Sequence, residues 1–208
     1  MIQARTVYQL KFGKIDQAVA LFQRLPKFVP LPDGAKVHHH LLTDISGPMF
    51  SLVEEIMLPD LGHWETGRDA IFNHPDFGEW FNEFQRVVES GASEFYTVEG
   101  ACEEWSGPGT IVVRQVFRAL QWQVRPAVSL LQRYGALMVD ASVGRNPRIL
   151  TDLSGPMFRV VVEIETHDLS DWENHRRKMF EKPEFQVWFL QLVNQVDQGR
   201  HDFYRVEV

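Results

Sequence analysis

The chain has 208 residues, a formal charge of −7 and one cysteine, Cys102. A single cysteine excludes an internal disulfide and a cysteine-rich metal site. An acidic chain with no block of Lys and Arg excludes nucleic acid and anionic membranes as main partners, since phosphate binding needs a concentrated basic surface. No apolar run has the length of a signal-sequence core or a membrane span, so the sequence predicts a cytoplasmic protein.

The first predicted element is a strand, Ile2 to Phe12, with Ile2, Ala4, Tyr8, Leu10 and Phe12 on one face and Gln3, Arg5, Gln9 and Lys11 on the other. Gly13 stops it, and Ile15, Ala18, Val19, Phe22 and Leu25 then form the apolar stripe of a helix. A strand from Val37 to Ile45 turns at Ser46-Gly47-Pro48 and returns as Met49 to Met57. Asp60 is placed to cap a helix with Leu61, Trp64, Arg68 and Phe72 on one stripe. Pro75 interrupts it, and a continuation carries Phe77, Trp80, Phe81, Phe84 and Val88 before Gly91 ends the helix. Phe95 to Glu99 reads as the last strand of a β-α-β-β-α-β unit.

The same unit then recurs. Leu42–Glu99 and Leu150–Glu207 align without a gap, 108 residues apart, and 27 of their 58 paired positions are identical. The runs LTDISGPMF and LTDLSGPMF match, as do EFYTVE and DFYRVE. In the first strand Arg114 answers to Arg5 with the spacing shifted by one residue. The sequence therefore predicts an α+β fold of two ferredoxin-like repeats, residues 1–100 and 110–208, joined by a Gly/Pro-rich linker over 101–109 that holds Cys102 as a bystander.

Lys11-Phe12-Gly13-Lys14 at the end of the first strand, the Ser46-Gly47-Pro48 hairpin, and Trp64, Arg68, Phe72, Pro75 and Phe77 on the second helix resemble the dimeric α/β-barrel superfamily, most nearly its NIPSNAP-type branch. The resemblance implies that two antiparallel sheets face each other as a barrel, here within one chain as a pseudo-dimer. It implies a cavity between the sheets without naming a reaction. Members include cofactor-free monooxygenases, haem-degrading oxygenases, isomerases, chlorite dismutases and proteins without known activity.

If the apolar face of each first strand meets the helices, Arg5, Val7 and Gln9 point into the barrel, and so do Arg114, Val116 and Arg118. By the same alternation Glu55 and Glu163 face inward, with Ser51 replaced by Arg159 in the second repeat. Arg5 can then approach Glu55, and Arg114 can approach Glu163. These are either inter-strand ion pairs or a ligand site in which Arg5, Gln9, Arg114, Arg118 and Arg159 hold an anion while Glu55 or Glu163 moves a proton. The run His38-His39-His40 puts His38 and His40 on one face, where they are candidate metal ligands. The paired tryptophans Trp64/Trp172 and Trp80/Trp188 read as core residues whose indole N–H groups need partners.

Three readings stay open: a small-molecule-binding barrel or cofactor-free monooxygenase or isomerase acting on a hydrophobic or anionic compound; a haem or metal protein using His38 or His40; and a non-catalytic structural or partner-binding protein whose barrel is filled by its own side chains. No cofactor is required by the first, and further homo-oligomerisation is compatible with all three.

Overall fold

The computed structural model describes residues 1–25 and 38–208; the expected start of the second strand at Val37 lies outside them. The first repeat contains β1 (Ile2–Leu10), α1 (Ile15–Phe22), β2 (His38–Asp44), β3 (Ser51–Leu58), α2 (Leu61–Asn73), α3 (Phe77–Val87) and β4 (Val88–Val98). The second contains β5 (Ile111–Ala119), α4 (Val124–Asp140), β6 (Arg145–Asp152), β7 (Arg159–Thr166), α5 (Leu169–Phe180), α6 (Pro183–Val193) and β8 (Val196–Val206). None of the described helices is long and apolar enough to cross a membrane.

The eight strands close one barrel in the order β1-β3-β2-β8-β5-β7-β6-β4, every pairing antiparallel. Its two seams join the repeats reciprocally: Leu42, Thr43 and Asp44 pair with Val206, Arg205 and Tyr204, and Tyr96, Thr97 and Val98 pair with Asp152, Thr151 and Leu150. The duplicated Ser-Gly-Pro turns explain themselves here. The Ser46 hydroxyl accepts the Phe203 N–H, and the Ser154 hydroxyl accepts the Phe95 N–H, each at 2.9 Å, so each turn closes the seam made by the other repeat. Gly47 and Gly155 stand at φ 95° and 91°, a conformation that favours glycine.

Each strand sends alternate residues to the helices and to the barrel interior. Leu10, Phe22, Leu41, Leu52 and Trp80 form the helix-side core of the first repeat, and Phe117, Leu131, Met138, Ile149, Val162 and Trp188 belong to that of the second. Burying each such side chain contributes about 1.5–3 kcal/mol. The Trp80 and Trp188 indoles donate to the carbonyls of Leu21 and Leu130 at 3.0 and 2.7 Å, the partners their burial demands. Asp60 and Asp168 cap α2 and α5, accepting from the backbone N–H of His63 and Asp171 at 3.0 and 2.8 Å.

Several sequence expectations change. Gly91 does not end a helix: α3 stops at Val87 and β4 starts at the next residue, running through Gly91 opposite Tyr8. A Cβ there would lie 3.0 Å from the Tyr8 ring, so the glycine admits a close aromatic contact. Phe12 lies beyond β1 and is exposed, its ring tilted against that of Phe50. Of the expected core aromatics, Phe72, Phe81, Phe180 and Phe189 are exposed, while Trp80, Trp172 and Trp188 are buried.

Candidate functional site

Inside the barrel, the register puts Arg5 directly opposite Glu55 and Arg114 directly opposite Glu163. Arg5 Nε donates to Glu55 Oε1 at 3.2 Å, and Arg114 Nη1 is bonded to Glu163 Oε1; all four side chains are at most 5% exposed. Each arginine also faces a tyrosine of the other repeat: Arg5 lies over the Tyr204 ring at 5.3 Å and Arg114 over Tyr96 at 5.0 Å. The arrangement is thus exchanged across the pseudo-two-fold, with each cation held by its own glutamate and its neighbour's π-face.

Three further groups join the layer. Gln3 Nε2 donates to Glu163 Oε2 at 3.3 Å. Arg148, on β6 opposite Glu163, packs 3.4 Å over the Trp105 ring and donates through Nη2 to the Glu103 carbonyl at 2.5 Å. His40, the counterpart of Arg148 in the first repeat, lies opposite Glu55 and shares a hydrogen bond with the Val208 carbonyl at 3.2 Å. Apolar clusters enclose the layer: Leu42, Val53, Val112, Tyr204 and Val206 with Trp105, and Met57, Tyr96, Val98, Leu150 and Val161.

Three guanidinium groups therefore meet two carboxylates out of contact with water. The glutamates respond in opposite senses. Burial and the charge of Glu163 push Glu55 above the usual carboxylate range, against Arg5, Arg114 and Arg148. Burial acts on Glu163 too, but Arg114, Arg148 and Arg5 outweigh it and hold Glu163 below that range. Two neighbouring carboxyl groups driven apart in this way suit one to stay anionic and the other to carry a proton. Burial and the Arg148 charge bring His40 down to about 4, so its imidazole is neutral at pH 7.

The layer is also incompletely bonded. Among the described residues, Arg5 Nη2, Arg148 Nε and Nη1, His40 Nε2 and Gln3 Oε1 are buried without a hydrogen-bond partner. An unsatisfied buried donor costs about 1–3 kcal/mol, more when charged, and three of these five atoms are guanidinium nitrogens.

The interior departs from the sequence expectations in other respects. Arg118 does not enter the layer: it is exposed near the end of β5 and bidentate to Asp197, with Nε–O distances of 2.8 and 3.1 Å. Arg159 pairs with Glu94 near the same end, and Gln9 donates to the Met49 carbonyl at 2.8 Å. These three positions have the right strand face but lie too far along it. Arg5, Arg114, Glu55 and Glu163 do converge. Tyr96 and Tyr204, identical in the two closing strands, are interior groups, and Glu94 and Asp202 are a further acidic pair kept in both repeats. Gln3 shares the Arg5 face by alternation, whereas Arg148 and Trp105 carried no sequence signal beyond a large aromatic residue in a glycine-rich stretch.

His38 and His40 share a face but make different contacts. His38 is half-buried and bonded to Glu104 at 2.6 Å, whereas His40 turns to Val208 beside the Arg148 cation, which opposes a metal ion. Among the described residues, His167, Asp168 and Asp171 are the group close enough to share an ion; they lie at the start of α5, with His167 and Asp171 exposed. Trp105, Tyr96, Tyr204 and Arg148 are buried in the barrel interior. Crevices of 420 and 340 Å³ lie outside the barrel, between α1 and α3 and beside the turn from α4 to β6.

Solved structures share this architecture across the whole chain. A candidate monooxygenase from Fusobacterium nucleatum superposes on 100% of this chain and 92% of its own, with a TM-score of 0.74 at 11% identity. This chain has the dimeric α/β-barrel fold. An anthrone oxidase-like protein covers 100% of the barrel and 91% of its own chain (TM-score 0.68, 13% identity), and a haem-binding protein from Thermus thermophilus covers 99% and 90% (TM-score 0.60, 9% identity). A NIPSNAP-domain protein from Burkholderia xenovorans aligns with 50% of the barrel chain and 100% of its own at a TM-score of 0.42 and 16% identity. No protein-family model matches the sequence, and no curated protein matches it.

Proposed function

We propose that the barrel binds a small carboxylate or enolate in its interior layer, held by Arg5 and Arg148, with Glu55 as the group that exchanges a proton with it. The observation that carries this reading is the set of buried, unpartnered guanidinium nitrogens on Arg5 and Arg148. Arginine forks match the two oxygens of a carboxylate, and a dry site strengthens such bonds. A carboxyl group raised by burial is a stronger base than a solvated one, so Glu55 is suited to take a proton from the carbon next to a carbonyl while the arginines hold the resulting enolate. That step would begin a cofactor-free isomerisation or oxygenation, the second in keeping with the candidate monooxygenase and the anthrone oxidase-like protein that share the fold. The protein acts in the cytoplasm in this reading, as an intrachain pseudo-dimer able to associate further.

Calorimetric titration with acetate, benzoate and inorganic phosphate tests the binding. The wild type should bind at least one of them, and Arg148→Met should weaken it at least about tenfold, the worth of a charge-assisted hydrogen bond. Deuterium uptake at the α-carbon of acetoacetate, observed by proton NMR and lost in Glu55→Gln, would support the proton step. Failure of all three anions to bind would leave a barrel whose orphaned donors are served by water, and would favour the structural role that its packed interior also suits.

A further inference from the structure

The segment between β4 and β5 does more than join the repeats. Gly100, Gly107 and Gly109 stand at φ 111°, 103° and 88°, each with open space where a Cβ would lie, so the chain can pivot at both ends of the segment. Between these points it crosses the barrel end where β1, β2, β5 and β6 begin. It is tied to both repeats there. Glu104 bonds His38 of β2 at 2.6 Å and its carbonyl accepts from Asn146 of β6 at 3.3 Å, while the Ser106 N–H and hydroxyl donate to Glu165 of β7 at 2.8 and 2.5 Å.

Only one side chain of the segment is fully buried. Trp105 is 4% exposed, whereas Glu103, Glu104 and Ser106 around it are exposed. Its ring lies against the Arg148 guanidinium, two of whose nitrogens have no hydrogen-bond partner, and its indole N–H points to Glu55 Oε2 at 3.5 Å. Trp105 thus stands between this barrel end and both groups that the proposed function assigns to ligand and proton. The contacts that keep it there are few: the Glu104 bonds to His38 and Asn146, the two Ser106 bonds to the buried Glu165 carboxylate, the Arg148 bond to the Glu103 carbonyl, and the burial of one indole. Such a segment opens locally while the barrel stays folded.

We propose that residues 100–109 form a hinged strap and that Trp105 is its plug, closing the interior layer in this conformation and withdrawing to admit an anion to Arg148 and Arg5. This inference rests on the reading of that layer as an anion site. Stopped-flow mixing with benzoate, in wild type, Trp105→Ala and Ser106→Ala, tests it. In the wild type the observed association rate should saturate with benzoate concentration, because strap opening limits it. Trp105→Ala should give a rate that stays linear, and bind at least about tenfold more tightly, since the competent state is no longer a minor population. Ser106→Ala should raise the plateau about fivefold, the effect of one lost latch bond, and speed hydrogen exchange of the strap amides. One linear rate shared by all three proteins overturns the strap and leaves the anion site intact. Absence of benzoate and phosphate binding from all three, with each folded by circular dichroism, overturns the anion site and the strap with it. Should Trp105→Ala fail to fold, Ser106→Ala, at an exposed position, carries the comparison with the wild type.

Discussion

Glu55 and Glu163 hold the same position in the two repeats, each opposite an arginine, yet they should not cost the same to neutralise. Burial opposes the charge of both, but Arg114, Arg148 and Arg5 keep Glu163 anionic, whereas burial and Glu163 itself push Glu55 toward its neutral form. Glu163→Gln therefore leaves Arg114 buried without its carboxylate, and breaking a buried pair from one side costs about 3–5 kcal/mol. Glu55→Gln keeps the shape and an oxygen that can accept from Arg5 Nε, and removes a charge that burial and Glu163 both oppose, at about 1 kcal/mol. With a urea m-value of about 2 kcal/mol per M, the two midpoints at pH 7 should separate by about 1–2 M. The pH dependence carries the sign. An acid whose pKa is higher folded than unfolded binds more protons in the folded state, so Glu55 favours folding at low pH and that contribution is lost as pH rises through its folded pKa. Glu163, held down in the fold, contributes above the unfolded carboxylate pKa and loses that contribution as pH falls through its folded pKa. Urea melts against pH should show the alkaline-side decline flattened in Glu55→Gln and the acid-side decline flattened in Glu163→Gln. Equal midpoints, or a Glu55→Gln profile parallel to the wild type, would refute the assignment.

Other expectations test the fold. Trp188→Phe removes the indole donor to the Leu130 carbonyl and leaves a smaller ring, and should lower stability by about 1–2 kcal/mol, or a few degrees in melting temperature by calorimetry. Asp60→Ala and Asp168→Ala should each cost about 1 kcal/mol in urea melts, and the double variant should show their sum, because the two caps serve separate helices. Gly78→Ala, within α3 with nothing near its Cβ position, should stabilise by about 0.5–1 kcal/mol. Gly144→Ala, whose Cβ would fall 2.1 Å from Ile164 Cγ2 and 2.9 Å from the Glu165 carbonyl oxygen, should destabilise strongly; a neutral result there would show that the turn into β6 yields easily. Trp122, exposed at φ 68° where the first repeat has Gly13, should gain up to about 1 kcal/mol of thermal stability as glycine.

Much of this was legible in the sequence because it is periodic. Alternation along β1 and β5 separated helix-side from interior residues, and the one-residue shift between Arg5 and Arg114 survives in the register, where each meets its glutamate. Periodicity says which face a residue is on, however, and not how far along the barrel it lies. Arg118 and Arg159 have the right parity and still end at the rim, paired with Asp197 and Glu94. Gly91 read as a helix stop because glycine commonly is one; the Tyr8 ring packed against it is a contact between strands far apart in sequence.

The sequence by itself determined a duplicated β-α-β-β-α-β unit, its helix stripes, its caps and the pairing of an arginine with a glutamate in each copy, since all of these follow from local periodicity and repetition. Tertiary structure alone decided that each arginine takes its π-face from the other repeat, that Arg148 enters the layer, and that Trp105 leaves the linker to stack on it. Those contacts join residues that no spacing rule relates. They exist because closing the barrel brings the two halves together around one buried layer of charge, where every ion needs a partner and the partner comes from whichever chain segment the closure places nearby.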